Sequence, residues 1–330
     1  MKTILVTGAN GFLAANTILE LLARGYKVKG MLRKGKSPPV AGNGFTPFYG
    51  KITSEKDVSE AVKGCYTVIH VAALTDQSVP CKRVYNEVNI NGTLNIVKAS
   101  VDHKIKKLVL ISTANVFGHG TKDRPGNETM PMRPPFTRSY YALSKAQAQQ
   151  LALDSLKDTQ TALTVVCPTF MTGPNDHKIS SNRIILRALN RRILFIPPGG
   201  KNFIHVKDAA AGICNALTMG KNGECYLLAN ENLTYREFYN KMAGVSRNRT
   251  ILVTIPKPLL YIAGLAGSLA RAAGVKTPVS LVNMQILCTG NYYSSAKAVK
   301  EIKLPQTPVA ESIRETIEWF AKPIRLHQAE

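Results

Sequence analysis

A doubly wound parallel sheet of the α/β class, followed by a smaller and irregular α/β domain, is what this sequence of 330 residues predicts. Three observations carry that expectation. Short apolar segments alternate with amphipathic helical ones through the first half, the pattern that right-handed crossovers between parallel strands produce. The strand segments are rich in Val, Ile and Leu with little polar alternation, as strands covered on both faces must be. A glycine-rich turn stands where the first strand gives way to the first helix.

The expected strands are Thr3–Thr7, Lys27–Leu32, Thr67–Val71, Lys107–Ser112 and Ala162–Cys167. The expected helices are Gly11–Arg24, Glu55–Lys63, Arg83–His103 and Ser139–Leu156. Past Pro168 the pattern loosens, with Pro, Gly and Asn clustered at Gly173–Asn175 and Pro197–Asn202. Residues 1–167 are therefore expected to form the first domain, completed by short returning segments near 203–224 and 281–296. Residues 168–330 are expected mainly to form a second domain above the carboxyl ends of the strands, where open α/β sheets bind ligands.

Composition narrows the function classes. A hydrophobic content of 45% with 19% charged residues is that of a globular chain. Met1-Lys2-Thr3 runs straight into Ile4-Leu5-Val6, too short an apolar core for a secretory leader, so a cytoplasmic location is expected. The apolar stretch Pro258–Val275 is interrupted by Arg271 and several glycines. It falls short of a membrane span and reads as an amphipathic helix packed on its own protein. Cys65, Cys81, Cys167, Cys214, Cys225 and Cys288 show no metal-ligand spacing, so reduced thiols and no metal site are expected. The formal charge of +22 admits a phosphorylated cofactor, acidic substrates, nucleic acid or a membrane surface as partner. The cations are spread along the chain without an aromatic–basic tract, which reads as a solvated basic surface and not as a nucleic-acid site.

The turn "ILVTGANGFLAAN" places Gly8 and Gly11 between strand and helix, with Ala14 as a third small position. A glycine at the strand end permits a tight turn, and a second lets backbone N–H groups approach a pyrophosphate that the helix N-terminus favours. Asn10, Phe12 and Leu13 share this turn and are expected beside a dinucleotide. Dinucleotide sites usually carry an acidic residue after the second strand, for the ribose 2′-hydroxyl. Between Glu20 and Glu55 there is none, and Arg33, Lys34 and Lys36 stand there instead. A guanidinium can grip a 2′-phosphate with two charge-assisted hydrogen bonds, so NADP (as NADPH) is expected over NAD. The plainer alternative is a solvated basic loop.

In "RSYYALSKAQAQQ" Tyr141 lies four residues before Lys145, and Tyr140 four before Ser144. On a helix such pairs share a face, which allows a catalytic Tyr–Lys pair or an ordinary helix face, and chance matches to this spacing are common. The surrounding motifs decide between them. "TGANGFLA", "VIHVAA", "NINGTLNIVKA", "LISTANVFG", "YYALSK" and "CPTFMTGP" follow one another in an order that resembles the extended short-chain dehydrogenase/reductase (NAD-dependent epimerase/dehydratase) family. "PPGGKNFIHVKDAAAG" and "GECYLLANENLTYREF" are most similar to its dihydroflavonol reductase-like and hopanoid-associated members.

The resemblance implies a Rossmann-type sheet and a site with Thr113, Tyr141 and Lys145 as catalytic residues, Ser112 being the rival of Thr113. Tyr140 would pack or line the rim. It implies cofactor contacts from Ala72, Ala73, Asn89, Ser112 and Pro168, and from Ile52, with Arg33 on the 2′-phosphate. Lys51 stands where relatives carry an adenine-contacting Asp, and Cys167 replaces a common Arg. Lys201 and Asn202 occupy the position of a substrate-pyrophosphate arginine, with Arg183 and Arg187 near in sequence. In this scheme the Lys145 ammonium lowers the Tyr141 pKa and holds the nicotinamide ribose, while Thr113 orients the substrate oxygen. The expected activity is NADPH-dependent reduction of a small ketone or aldehyde, with the Leu259–Ala273 stretch as an apolar wall. The alternatives are a sugar-nucleotide epimerase/dehydratase and, further off, a non-catalytic dinucleotide sensor or RNA-associated protein. A homodimer through Arg83–His103 and Ser139–Leu156 is also expected.

Overall fold

The computed structural model describes residues 2–38, 40, 42–189, 191–246 and 250–321. In chain order its first half gives β1 (Thr3–Thr7), α1 (Phe12–Ala23), β2 (Lys27–Leu32), β3 (Phe45–Tyr49), α2 (Glu55–Val62) and β4 (Thr67–His70). Next come α3 (Lys82–Tyr85), α4 (Gly92–Asp102), β5 (Lys107–Ile111), α5 (Tyr140–Leu156), β6 (Ala162–Pro168) and β7 (Phe170–Thr172). Then follow α6 (Arg183–Leu186), β8 (Ile193–Ile196), β9 (Gly200–His205), α7 (Val206–Met219), β10 (Cys225–Leu228) and β11 (Glu231–Thr234). The remaining elements are α8 (Tyr235–Ser246), β12 (Ile251–Thr254), α9 (Lys257–Ala272), α10 (Leu281–Cys288), β13 (Gly290–Asn291), α11 (Ala296–Ile302) and α12 (Val309–Ala321).

Seven parallel strands form the main sheet in the order β10-β6-β5-β4-β1-β2-β3, the Rossmann-like arrangement that the strand pattern predicts. The order reverses at β1, so the carboxyl ends of β1 and β4 open a crevice. Strand periodicity distributes the core. Ile4 and Val6 of β1 pack with Leu13, Ile18 and Leu21 of α1 and Ile213 of α7 on one face. Leu5 packs with Val58 of α2, Ile96 of α4 and Leu156 of α5 on the other.

Two strands of this sheet escape the apolar pattern. β3 reads Phe-Thr-Pro-Phe-Tyr, an edge strand whose proline and exposed Thr46, Pro47 and Tyr49 hide it. β10 is four residues long and lies just past the 203–224 segment. The helix expected over Arg83–His103 is not continuous: a π-helical stretch, Asn86–Asn91, separates α3 from α4. Such wide turns gather at functional positions, and this one contains Asn89. Ser139 caps α5, its side chain accepting from the Ala142 amide, instead of opening the helix.

A second sheet joins β11, β9, β13 and β7 above the first. Its core is aromatic, with Phe203 stacked on Phe238 at 4.3 Å and packed with Leu233, Val309 and Ile313. The Pro258–Val275 stretch corrects an expectation. Within α9 only Leu260 and Gly264 are buried, so its large apolar side chains face outward and not onto their own protein.

Candidate functional site

The turn after β1 is shaped by close approach. Gly8 has φ +66°, and a Cβ there would lie 2.9 Å from the Ala72 Cα. The 71–73 backbone therefore crosses directly over a turn that glycine alone fits. The Gly11 amide donates to the Gly8 carbonyl at 2.8 Å, and Gly11 begins α1 without a side-chain cap or an acidic residue in the first turn. The first N–H groups of α1 are thus left to an anion. Asn10 and Phe12 are half-buried beside them, whereas the Leu13 side chain belongs to the core and can offer only its backbone.

A buried relay fixes the opposing segment. The Thr7 hydroxyl oxygen accepts from the Val71 and Ala72 amides at 3.1 Å each and stands 2.8 Å from His70 Nδ1. The Thr93 hydroxyl donates to the Asn89 carbonyl at 2.7 Å, and its oxygen lies 3.1 Å from His70 Nε2. With Thr93's proton used on that carbonyl, Nε2–H must donate to Thr93, and Nδ1 accepts from Thr7. His70 is therefore neutral. Burial, then the Lys145 charge, hold its pKa down to about 3.

A neutral buried histidine has a consequence for stability. Its contribution is whole above pH 6.5, where the unfolded chain also leaves it uncharged, and is lost as pH falls toward 3. From pH 7 to pH 5 this one group should cost about 2 kcal/mol. Urea unfolding at both pH values should show wild type losing that much more than His70→Gln does. An equal loss in the two proteins would mean that His70 carries its proton in the fold.

Asn89 is held by protein and not aimed into open space. Its Oδ1 accepts from the Leu74 amide at 2.7 Å, and its Nδ2 donates to the Leu74 carbonyl at 3.2 Å and to Ser144 Oγ at 2.9 Å. It clamps the 72–74 segment, half-buried Ala72 and Ala73 included, to α5. Ile52 packs on Gly92, and its carbonyl accepts from Asn95 at 3.0 Å. Where relatives would supply an adenine-contacting Asp, the Lys51 backbone amide is bound to the Asp57 carboxylate at 2.8 Å.

Exposed Arg33 follows β2. Lys178 comes close enough that Arg33 and Lys36, after burial, push its pKa down while Asp176 partly offsets them. Arg33 and Lys36 act on Lys178 together, with Asp176 as the acid beside it, and Lys178 lies too far along the chain for sequence to pair it with the other two. The turn and the uncapped helix start together fit a nicotinamide dinucleotide.

Beyond β5, the Thr113 hydroxyl stands near enough to the Tyr141 hydroxyl to pull its pKa down. Ser112 is buried, and its Oγ has no hydrogen-bond partner among the described residues. The Lys145 side chain is buried and donates to the Ile111 carbonyl at 2.6 Å. Pro168 ends β6 beside Cys167, both of them buried. One electrostatic expectation fails. Burial pushes Tyr141 up to about 12, against the weaker pull of Thr113, and Lys145 is not among the groups that move it. Burial also brings Lys145 down to about 8, so its ammonium is itself poorly solvated and tied to a carbonyl. Tyr141 is a firmly protonated acid in this arrangement.

A cavity of about 290 Å³ opens over Tyr141. Tyr140 stands at its wall, 40% exposed and edge-on to Tyr85 at 6.4 Å. Arg138, Ser268, Arg271, Ala272 and Asn283 complete much of the lining. The roof is clasped, for Arg271 donates to the Val79 carbonyl at 2.7 Å and Lys276 pairs with Asp76 at 3.2 Å. The apolar wall expected from Leu259–Ala273 is instead polar here, because α9 turns Ser268 and Arg271 inward. Nothing local in the sequence marks these residues; tertiary packing brings them to Tyr141.

Lys201 and Asn202 do not line this cavity. Lys201 lies 5.4 Å from the Phe170 ring centroid, with burial lowering its pKa to about 8. Asn202 bonds to Asn230, Asn232 and the Tyr293 carbonyl. Arg183 and Arg187 are exposed on and just past α6.

Comparison with known proteins agrees with this geometry. A Synechocystis sp. protein carrying a dihydroflavonol 4-reductase name is 27% identical over 321 residues, covering 96% of this chain and 93% of that one. Sterol-4-alpha-carboxylate 3-dehydrogenase, decarboxylating, from Dictyostelium discoideum is 30% identical over 292 residues, covering 83% and 88%. UDP-glucose 4-epimerase from Thermus thermophilus, solved in complex with NAD, shares the fold with a TM-score of 0.77 at 22% identity, covering 98% and 100%. The model of the NAD dependent epimerase/dehydratase family matches residues 4–229, so a glycine-rich turn, a Tyr–Lys helix and a doubly wound sheet come together in a chain that belongs to that nicotinamide-dinucleotide-binding family of enzymes.

Proposed function

We propose that this protein is an NADPH-dependent reductase of a ketone or aldehyde, with Tyr141 as the proton donor. The observation that carries the reading is Tyr141 in the lining of a cavity of about 290 Å³, with Thr113 near its hydroxyl and burial pushing its pKa up. A bound nicotinamide would supply the hydride. The α1 N-terminus would hold its pyrophosphate, and Arg33 with Lys36 and Lys178 the 2′-phosphate. Thr113 would hydrogen-bond the substrate oxygen and fix its direction, and Tyr141 would give that oxygen its proton. Lys145, released from the Ile111 carbonyl, would steady the phenolate that remains.

Two arginines at the cavity, Arg138 and Arg271, favour a carbonyl compound that also bears an anionic group such as a carboxylate. A relative whose name specifies a carboxylate-bearing sterol points the same way. The residues that would hold a sugar-nucleotide diphosphate are elsewhere, Asn202 being spent on the second sheet. A homodimer through α4 and α5 belongs to the same reading.

The test follows NADPH absorbance over ketones, aldehydes, keto acids and sugar nucleotides, with calorimetry of UDP and dTDP alongside. Net NADPH consumption by a carbonyl compound, without tight nucleotide diphosphate binding, is the expected result. Sub-micromolar affinity for a nucleotide diphosphate, or interconversion of a UDP-sugar without net cofactor use, would replace the reductase by the epimerase.

A further inference from the structure

The outer face of α9 inverts the ordinary arrangement of a surface helix. Leu259, Ile262, Leu265 and Leu269 are 58%, 63%, 53% and 74% exposed. Their spacing puts them on one side of the helix. The opposite side is glycine-lined and tightly seated: a Cβ on Gly264 would come within 2.9 Å of the Leu281 Cα, and one on Gly267 within 2.3 Å of the Val279 carbonyl oxygen. Small residues thus hold α9 down while the large apolar ones meet water.

The preceding element repeats the inversion. β8 and β12 pair in parallel with Ile193 opposite Ile251 and Phe195 opposite Val253, which puts the four side chains on one face. They are 53%, 65%, 65% and 39% exposed for Ile193, Ile251, Phe195 and Val253 respectively. Only Ile255 and Pro256 separate β12 from α9. Exposed apolar faces of this kind mark an interaction site.

Charge identifies the partner. Between Glu237 and Glu301 the chain has no acidic residue; of the cations in that interval Lys241, Lys276 and Lys297 pair with Glu231, Asp76 and Glu224, and Arg247, Arg249, Lys257 and Lys300 add to the positive charge. Lys257 and Lys276 bracket the helix, both of them exposed. Arg191 and Arg192 stand exposed at the start of β8. A second copy of a chain with formal charge +22 would bring like charges together over this face. A bilayer with anionic headgroups satisfies both features at once. α9 has 16 residues, about 24 Å of helix, and no helix among the described residues is long and apolar enough to cross a membrane. A helix with an apolar face and basic flanks lies in the headgroup plane.

We infer that this protein docks on anionic bilayer surfaces through the outer faces of α9 and the β8/β12 pair. The inference stands apart from the carbonyl-reductase reading, since its apolar residues Leu259, Ile262, Leu265, Leu269, Ile193, Phe195, Ile251 and Val253 are not assigned there to chemistry. It bears on access, because Ser268, Arg271 and Ala272 of the same helix line the cavity. Docking would set that cavity about one helix diameter, some 10–12 Å, from the headgroups.

The full chain is tested by flotation with phosphatidylcholine vesicles, with and without phosphatidylglycerol, at low and high salt. Binding at least about tenfold stronger to the anionic vesicles, and weakened by salt, is expected. Ile262→Glu with Leu269→Glu should remove that binding, and Phe195→Ser with Ile251→Ser should reduce it. NADPH affinity and circular dichroism should stay at wild-type values in both variants. Indifference of wild type to both vesicle types would overturn the inference, as would unchanged binding by the α9 variant. A wild-type dimer in light scattering that the α9 variant dissociates, without vesicle binding by either protein, would assign the face to a second copy.

Discussion

Tyr141→Phe is expected to bind NADPH nearly as wild type does and to lose about 10²–10⁴-fold in turnover, the range typical of an acid–base group. The phenyl ring keeps the packing of α5 and deletes only the hydroxyl that stands near Thr113. Tyr140→Phe should change turnover far less, because Tyr140 stands at the cavity wall against Tyr85 and its hydroxyl has no place in the proton path. Single-turnover reduction with NADPH, beside fluorescence titration of the cofactor, separates the two effects. A dead Tyr140→Phe with an active Tyr141→Phe would reverse the assignment. Thr113→Val tests the same oxygen from its other side and should slow the step without moving the cofactor affinity.

The Tyr–Lys pair is readable in the sequence and the cavity is not, because the two are encoded differently. Tyr141 and Lys145 are set by helical spacing alone, and the motifs before them fix their place after the fourth strand of the alternating pattern. The central strands are equally legible, since strands buried on both faces write continuous apolar runs such as Ile4-Leu5-Val6 and Leu108-Val109-Leu110-Ile111. β3 is not, because an edge strand with an exposed face carries no such run. The π-helical turn at Asn89 leaves no mark on helical periodicity, although it is what aims the Asn89 amide at Leu74. Arg138 and Arg271 line one cavity, where Val79 holds Arg271 of α9 and Asp76 pairs with Lys276 beyond it, a tertiary arrangement without a local signal. The failed electrostatic expectation has the same root. Sequence spacing shows that an ammonium is near a phenol, but not that the ammonium is spent on the Ile111 carbonyl and that both groups are desolvated.

Arg33→Ala should remove most of the preference for NADPH over NADH. A charge-assisted contact is worth roughly 1.5–3 kcal/mol, or about ten- to a hundredfold in the ratio of dissociation constants. NADH binding should hardly change, since its 2′-hydroxyl gives a guanidinium little to hold. Lys178→Ala should have a smaller effect of the same sign. Its ammonium is partly neutralised by Asp176, and the charges of Arg33 and Lys36 already disfavour its proton. Mutual repulsion within this cluster makes a second result expected. A 2′-phosphate placed among three cations relieves that repulsion, so NADP(H) should raise the Lys178 pKa, a shift readable by the pH dependence of lysine modification. NADH should leave it where it is. If the cations were merely a solvated basic loop, wild type would bind both cofactors equally and neither substitution would alter their ratio. The Arg33→Ala, Lys178→Ala double variant then separates one shared phosphate site from two independent surface charges. In a shared site the residual contact weakens once its partner is gone, and the two losses do not sum; independent charges would give plain additivity.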